Sequence, residues 1–241
     1  MPQTYLATPK QVAKIYFICC MAGHKFVLKG EDFFLLPQRA LLIPRLSALV
    51  LSDLHLGKVN HFRKAGIPVP VLANQTNTET LISLIMTHKP KRVIFIGDLF
   101  HSHYNSEWEV MGQLIKNFRE CTFELIPGNH DIMSKEQYRK HSIVVHEKSL
   151  AVTTNLTLIH EPMETISDDS YYLSGHIHPA ITLKGKARQS LTIPCFWFGK
   201  NQGFLPAFGA FTGYRPVKPE VGDNVFGIVK DRIIEVQLSA G

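Results

Sequence analysis

The sequence predicts a mixed α/β fold in one domain: an α/β half to about residue 140, then a second, mostly antiparallel sheet packed on the first. Three observations predict it. In the first half, short apolar runs such as Ser47-Ala48-Leu49-Val50-Leu51 and Arg92-Val93-Ile94-Phe95-Ile96 alternate with segments of helical period. Beyond it, strand-like runs broken by Gly and Pro replace that period. Finally, polar motifs follow the apolar runs, where side chains from successive strand ends can converge on one spot.

The elements follow in order. Lys25-Phe26-Val27-Leu28 and Phe33-Phe34-Leu35-Leu36 flank Gly30-Glu31-Asp32, a hairpin signature with the turn on those three residues. Thr76 and Glu79 fit a capping box opening a helix to about Thr87, with Leu81, Ile82, Leu84 and Ile85 as its apolar face. Ser106 and Glu109 repeat the device before Met111, Leu114, Ile115 and Phe118. Ser134 and Gln137 suggest a third, shorter helix. Strand-like runs then cover 144–152, 156–159, 181–183, 191–198 and 225–236.

Residues 1–22 stand apart. Lys10 and Lys14 precede the apolar stretch 15–22, which has the look of a weak signal-peptide core but is too short to span a membrane. No small-x-small cleavage site follows it. A signal, an ordinary structured segment and a dispensable or non-native extension are all open. The extension is favoured, with Met21 as a start, because the orderly strand pattern begins at Lys25. The domain is then expected over 23–241.

Composition excludes several classes. Hydrophobic content of 45% supports a core, and charged content of 19% argues against disorder. No run is long enough for a membrane span. Cys19, Cys20, Cys121 and Cys195 form no Cys-x-x-Cys pair, which removes zinc-knuckle and thioredoxin readings and points to a reduced, cytoplasmic compartment. The formal net charge of +6 favours polyanions, nucleic acid among them, although mild basicity is common in soluble enzymes.

The chemistry lies in five motifs: Asp53-Leu54-His55, Gly97-Asp98, Gly128-Asn129-His130-Asp131, His160, and Gly175-His176-Ile177-His178. Because side chains alternate along a strand, Asp53 and His55 are expected on one face and able to grip one ion. The same alternation is expected to pair His176 and His178. Asp98 offers a carboxylate that can bridge two metals, and Gly97 lets the backbone turn tightly before it. Asn129 offers a neutral carbonyl oxygen. His130 is expected to face substrate, with Asp131 orienting its ring. Taken singly, each motif also reads as a turn or a histidine satisfied by backbone. Five in order, each at a strand end, read as a shell for two divalent cations. Mixed oxygen and imidazole donors suit Mn²⁺, Fe²⁺, Zn²⁺ or Ni²⁺.

In these motifs the chain resembles the calcineurin-like metallophosphoesterase superfamily. That resemblance implies a four-layer α-β-β-α sandwich of two β-sheets flanked by helices. It assigns Asp53, His55, Asp98 and His178 to one metal, and Asp98, Asn129, His160 and His176 to the other. It implies phosphoester hydrolysis by in-line attack of a hydroxide held between the ions, with His130 protonating or stabilising the leaving group.

A closer likeness lies between the ligands. Asp53 to Lys58, Phe62 to Pro70, Gly97 to Ser102, Ser174 to Pro179, Leu191 to Phe198 and Leu205 to Gly213 resemble the DNA ligase-associated metallophosphoesterases of the PdeM type. The departures are the front extension and Tyr214. This implies a manganese-dependent endonuclease preferring single-stranded DNA. It also implies a functional association with a DNA ligase, a helicase and an exonuclease of a bacterial repair gene cluster. A phosphomonoesterase or small-molecule phosphodiesterase with the same metals is the alternative. Lys58, Arg63 and Lys64 are candidates for substrate phosphates, and His101 and His103 for the cleft edge. The aromatic stretch Phe196-Trp197-Phe198, with Phe204, Phe208 and Phe211, reads as core packing before base stacking. Lys184, Lys186 and Arg188 look like a basic hairpin tip.

Overall fold

The computed structural model describes residues 23–57, 72–100, 106–185, 189–210 and 212–238. Residues 1–22, Lys58, Arg63, Lys64, His101, His103, Lys186, Arg188 and Phe211 lie outside them.

Among the described residues, seven strands form the first sheet in chain order: β1 (His24–Leu28), β2 (Glu31–Leu36), β3 (Ala40–Ile43), β4 (Ala48–Ser52), β5 (Arg92–Ile96), β6 (Thr122–Ile126) and β7 (Ile143–Val145). Strands β1 to β4 pair antiparallel and β4 to β7 parallel. Parallel neighbours need a crossover, and helices supply it. Helix α1 (Leu72–His88) joins β4 to β5, α2 (Ser106–Asn117) joins β5 to β6, and α3 (Lys135–Lys140) joins β6 to β7.

Three boundaries differ from the sequence expectation. The β1–β2 turn is Lys29-Gly30, because Leu28 pairs with Glu31; both turn residues have positive φ, which suits the strand twist. Helix α1 starts at Leu72, one turn before the Thr76 box, and Thr76 is an interior residue whose carbonyl accepts from Thr80 Oγ1. The run at 144 divides: its first part is β7 of the first sheet, and β8 (Ser149–Thr153) opens the second.

The second sheet also holds β9 (Leu156–Ile159), β10 (Tyr171–Ser174), β11 (Pro179–Lys184), β12 (Ser190–Phe198), β13 (Gln202–Phe204), β14 (Arg215–Pro216), β15 (Asn224–Val229) and β16 (Arg232–Val236). Most of its pairs are antiparallel, but β9, β10 and β13 run parallel side by side.

The faces pack as alternation requires. Leu81, Leu84 and Ile85 of α1, Trp108, Met111, Leu114 and Ile115 of α2, and Tyr138 of α3 cover one face of the first sheet through Leu49, Leu51, Val93, Phe95, Phe123 and Leu125. Ile82, expected on that face, is turned outward instead, and Trp108, unflagged by the pattern, is fully buried. The other face carries Phe33, Leu35, Val50, Ile94, Ile96 and Ile126 against Leu156, Leu158, Leu173, Phe196, Phe198 and Phe226 of the second sheet. Phe196 and Phe198 thus belong to the inter-sheet core, each contributing about 1.5–3 kcal/mol by burial. Trp197 points the opposite way and stacks on Phe204 at 4.6 Å. Ile181, Ile193, Cys195 and Val225 form a third cluster, to which no described helix contributes. The fold is a mixed α/β sandwich of two mixed sheets, with its helical layer, among the described residues, over the first. None of the described helices is long and apolar enough to cross a membrane.

Register then places the motifs. Ile96 pairs with Ser52 on one side and Ile126 on the other, so β4, β5 and β6 end at one level. Ile159, Ser174 and Phe204 end β9, β10 and β13 at one level in the other sheet. Asp53, Gly97 and Pro127 follow the first row, and His160 and Gly175 the second.

Candidate metal centre

Backbone shape aims these side chains. The loops after β4 and β5 continue side by side beyond the sheet: Asp53 N donates to Gly97 O, His55 N to Asp98 O and Leu56 N to Leu99 O. Asp53, His55, Asp98, His176 and His178 all have left-handed φ, between 45° and 63°. That corrects the expectation of strand alternation. The motif residues are not extended; each turns the chain sharply, at about 1–2 kcal/mol per non-glycine residue. Strain gathered at one spot is a recurring mark of functional loops.

The seven expected donors come together. Asp53, His55 and His178 each place one ligand atom within 4.8 Å of the others, and so do Asp53, Asp98 and His160. His178 Nε2 is 3.4 Å from Asp53 Oδ1, and His55 Nε2 is 3.6 Å from Asp98 Oδ2. His160 Nε2 is 3.6 Å from Asp98 Oδ1 and 3.2 Å from Asn129 Oδ1. His176 Nδ1 reaches His160 Nε2 at 3.3 Å. Asp98 touches a histidine of each triad, while Asp53 stands in both, a sharing the resemblance gave to Asp98 alone.

The donors are deeply set on one side and open on the other. Asp53, His55, Asp98 and His160 are buried, whereas Asn129 and His176 are exposed and His130 and His178 half-buried. Among the described residues, every ion pair of Asp53 and Asp98 is with a histidine. Two adjacent buried carboxylates without lysine or arginine are costly. His160 Nδ1 is buried with no hydrogen-bond partner. Carboxylates, imidazoles and one amide oxygen in two overlapping groups fit two divalent ions, which would remove that cost.

Glycine is required before two of the donors. Gly97 has φ +65°, and a Cβ there would enter the His160 ring. A Cβ on Gly128 would strike Asp98 Oδ1. Both positions let a loop pass against the donors.

Supporting contacts come from residues that sequence reasoning did not single out. Gly57 N donates to Glu107 Oε2 at 2.6 Å, tying the His55 loop to the first turn of α2. His178 Nδ1 lies 3.2 Å from Thr212 O; a carbonyl only accepts, so the ring donates there and keeps Nε2 toward Asp53. Gly209 N donates to Asp53 O, Ala210 N to Asn77 Oδ1, and Arg39 Nη1 to the carbonyls of Ala207 and Gly209. Only the likeness over 205–213 hinted at this segment.

His130 and Asp131 occupy distinct settings. His130 N donates to Asp98 Oδ1 at 3.0 Å, and its ring lies 5.7 Å from that of His55. The Asp131 carboxylate accepts from Gly128 N, Phe100 N and Tyr138 Oη. It thereby clamps the Asn129 loop to the Asp98 loop. Desolvation raises its carboxyl to about 6, against the pull of those amide donors. Burial pushes the thiols of Cys121 and Cys195 up to about 11 and about 12, so neither is a ready nucleophile. Lys184, expected at a basic hairpin tip, ends β11 and is exposed.

Comparison with known proteins bears on the fold and the family. No curated protein sequence matches the chain. The solved structure of the nuclease MPE from Pseudomonas putida superposes with a TM-score of 0.73 at 24% identity, over 89% of this chain and 100% of that one. Yfce, a phosphoesterase from E. coli, aligns at a TM-score of 0.43 and 12% identity, over 78% of this chain and 97% of its own. The family model described as calcineurin-like phosphoesterase matches residues 46–190. That span covers more than half of the chain and contains all five motifs, from Asp53 to His178, so the chain belongs to the calcineurin-like phosphoesterase family.

Proposed function

We propose that this phosphoesterase is an endonuclease that hydrolyses single-stranded DNA with two divalent ions, manganese foremost. One observation carries the metal-dependent part of the reading: two donor triads share Asp53, and the neighbouring donors Asn129 and His176 are exposed. On the division that the resemblance implies, Asp53, His55, Asp98 and His178 would hold one ion and Asp98, Asn129, His160 and His176 the other. Bound there, the ions supply an activated water and offset charge on the phosphoryl oxygens.

The chain's own residues do the rest. Asp131 and Glu107 keep the donor loops in place through backbone amides. His130, half-buried beside His55, protonates or stabilises the leaving oxygen. Lys58, Arg63 and Lys64 are the chain's candidates for binding substrate phosphates, with His101 and His103 as further substrate-binding candidates. The net charge of +6 assists polyanion capture.

The DNA choice is supported by the PdeM-like intervals and by the fold shared with a protein described as a nuclease. On this reading the enzyme works in the cytoplasm alongside a DNA ligase, a helicase and an exonuclease of a repair cluster. The test offers circular single-stranded DNA, duplex DNA, nucleotides and a phosphomonoester to the full chain with Mn²⁺. Linearised circles are expected, with slower duplex cleavage. Rapid turnover of the small esters with circles intact would make it a phosphomonoesterase or small-molecule phosphodiesterase instead. Asp98→Ala and Asn129→Ala should each abolish turnover.

A further inference from the structure

The segment after β13 does more than close the sheet. Residues 205–210 lie across the β4 end like a strap. Phe208 N donates to Ser52 O, Gly209 N to Asp53 O, and Ser52 Oγ to Pro206 O. A Cβ at Gly209 would strike the carbonyls of Leu54 and Asp53, so the strap passes directly against the first metal loop. Beyond it, Thr212 O accepts from His178 Nδ1, and Thr212 Oγ1 donates back to Gly209 O.

Two side chains from remote elements hold the strap. Arg39, at the β2–β3 turn with φ +61°, donates from Nη1 to Ala207 O at 3.3 Å and Gly209 O at 3.4 Å. Asn77, buried in α1, accepts from Ala210 N at 3.2 Å. Both lie outside the donor set. Without them the strap would keep its bonds to Ser52 and Asp53 but lose its lateral ties.

We propose that Arg39 and Asn77 are positioning residues: through the strap they place the Thr212 carbonyl that holds His178 in its Nδ1–H form, with Nε2 free to bind metal. The proposal rests on the metal reading of the centre for its consequence, though not for the tautomer. A fixed tautomer and ring angle raise ligand basicity, and loss of such support commonly weakens metal binding about 10–100-fold.

The test uses the full chain with Arg39→Ala, Asn77→Ala, the double variant and Arg39→Lys, which keeps a cationic donor. Imidazole ¹⁵N spectra of the metal-free proteins report the His178 tautomer, and Mn²⁺ titration reports stoichiometry and affinity. In the parent, His178 should show Nδ1–H. The double variant should show mixed tautomers and about tenfold or greater weakening at one Mn²⁺ site, with the other unchanged. Arg39→Lys should keep the parental tautomer. If the double variant does not fold, the single alanine variants are read in the same way, with smaller effects expected. Unchanged tautomer, with Mn²⁺ affinity within twofold of the parent in the alanine variants, would overturn the proposal. A parent that binds no Mn²⁺, with variants that still lose Nδ1–H, would overturn the metal reading and leave the strap's role standing.

Discussion

Asp53 and Asp98 are shut away from solvent, at 0% and 3% exposure, and each faces imidazole rather than ammonium or guanidinium. The Asp98 loop passes so close to the His160 ring that Gly97 has no room for a methyl group. Gly97→Ala should therefore push the His160 ring out of place and add about 1–2 kcal/mol of backbone strain. We expect the variant to fold, to lose close to one metal equivalent, and to slow about 100-fold or more; metal analysis beside rate measurement checks it. His130 predicts a different pattern. Its ring lies at the rim, so His130→Ala should keep two metals and slow substrates with poor leaving groups by about 10²–10⁴-fold. Esters with activated leaving groups should be affected far less. An intact rate on poor leaving groups would remove the proton-donor role.

Elements matter through their register. The parallel half of the first sheet is tied across β5, β6 and the residue after β7 by Arg92, Glu124 and His146. Glu124 accepts from Arg92 Nε at 2.6 Å and Nη2 at 2.9 Å, and lies 2.8 Å from His146 Nε2. Burial raises the Glu124 carboxyl, but hydrogen bonds from Arg92 and His146 outweigh it and leave the group below its ordinary value of 4.5. The folded protein thus holds that proton more weakly than the unfolded chain. The tie stabilises fully above the unfolded value near 4.5, and its contribution is lost as pH falls through the lower folded value. Glu124→Gln should cost about 1–3 kcal/mol at neutral pH. The gap between variant and parent should narrow in acid, as denaturant unfolding at several pH values would show. A gap that stayed constant would mean that the tie contributes by shape alone.

At the scale of the whole molecule, the centre sits where two sheets end. Donors come from β4, β5 and β6 on one side and from β9 and β10 on the other, so an ion bound there bridges both halves of the sandwich. Ligand binding to the folded state alone stabilises it by about 2.7 kcal/mol at a hundredfold excess over Kd. For a chain of this size that corresponds to about 5–10 °C. Mn²⁺ should therefore raise the melting temperature by that order and a chelator should reverse it. Asp53→Ala should abolish the shift, and a shift that survived would place the stabilising ion elsewhere.

Much was legible locally. Apolar runs marked β4, β5, β9 and β12, because burial selects for apolar side chains at strand spacing, and the donor chemistry could be read from residue type at the run ends. The helix faces of Leu84, Ile85, Met111 and Leu114 followed from period alone. Folding decided the rest. Strand alternation could not foresee the left-handed turns at Asp53, His55, Asp98, His176 and His178, because those conformations persist only where surrounding hydrogen bonds enforce them. Nor could any local pattern pair Thr212 with His178, Glu107 with Gly57, or Arg39 with the carbonyls of Ala207 and Gly209. Such contacts join residues far apart in the chain, and their partners are backbone groups that every residue carries. Residue chemistry and periodicity are written along the chain; the direction in which each donor points, and what holds it there, exist only once the two sheets have packed.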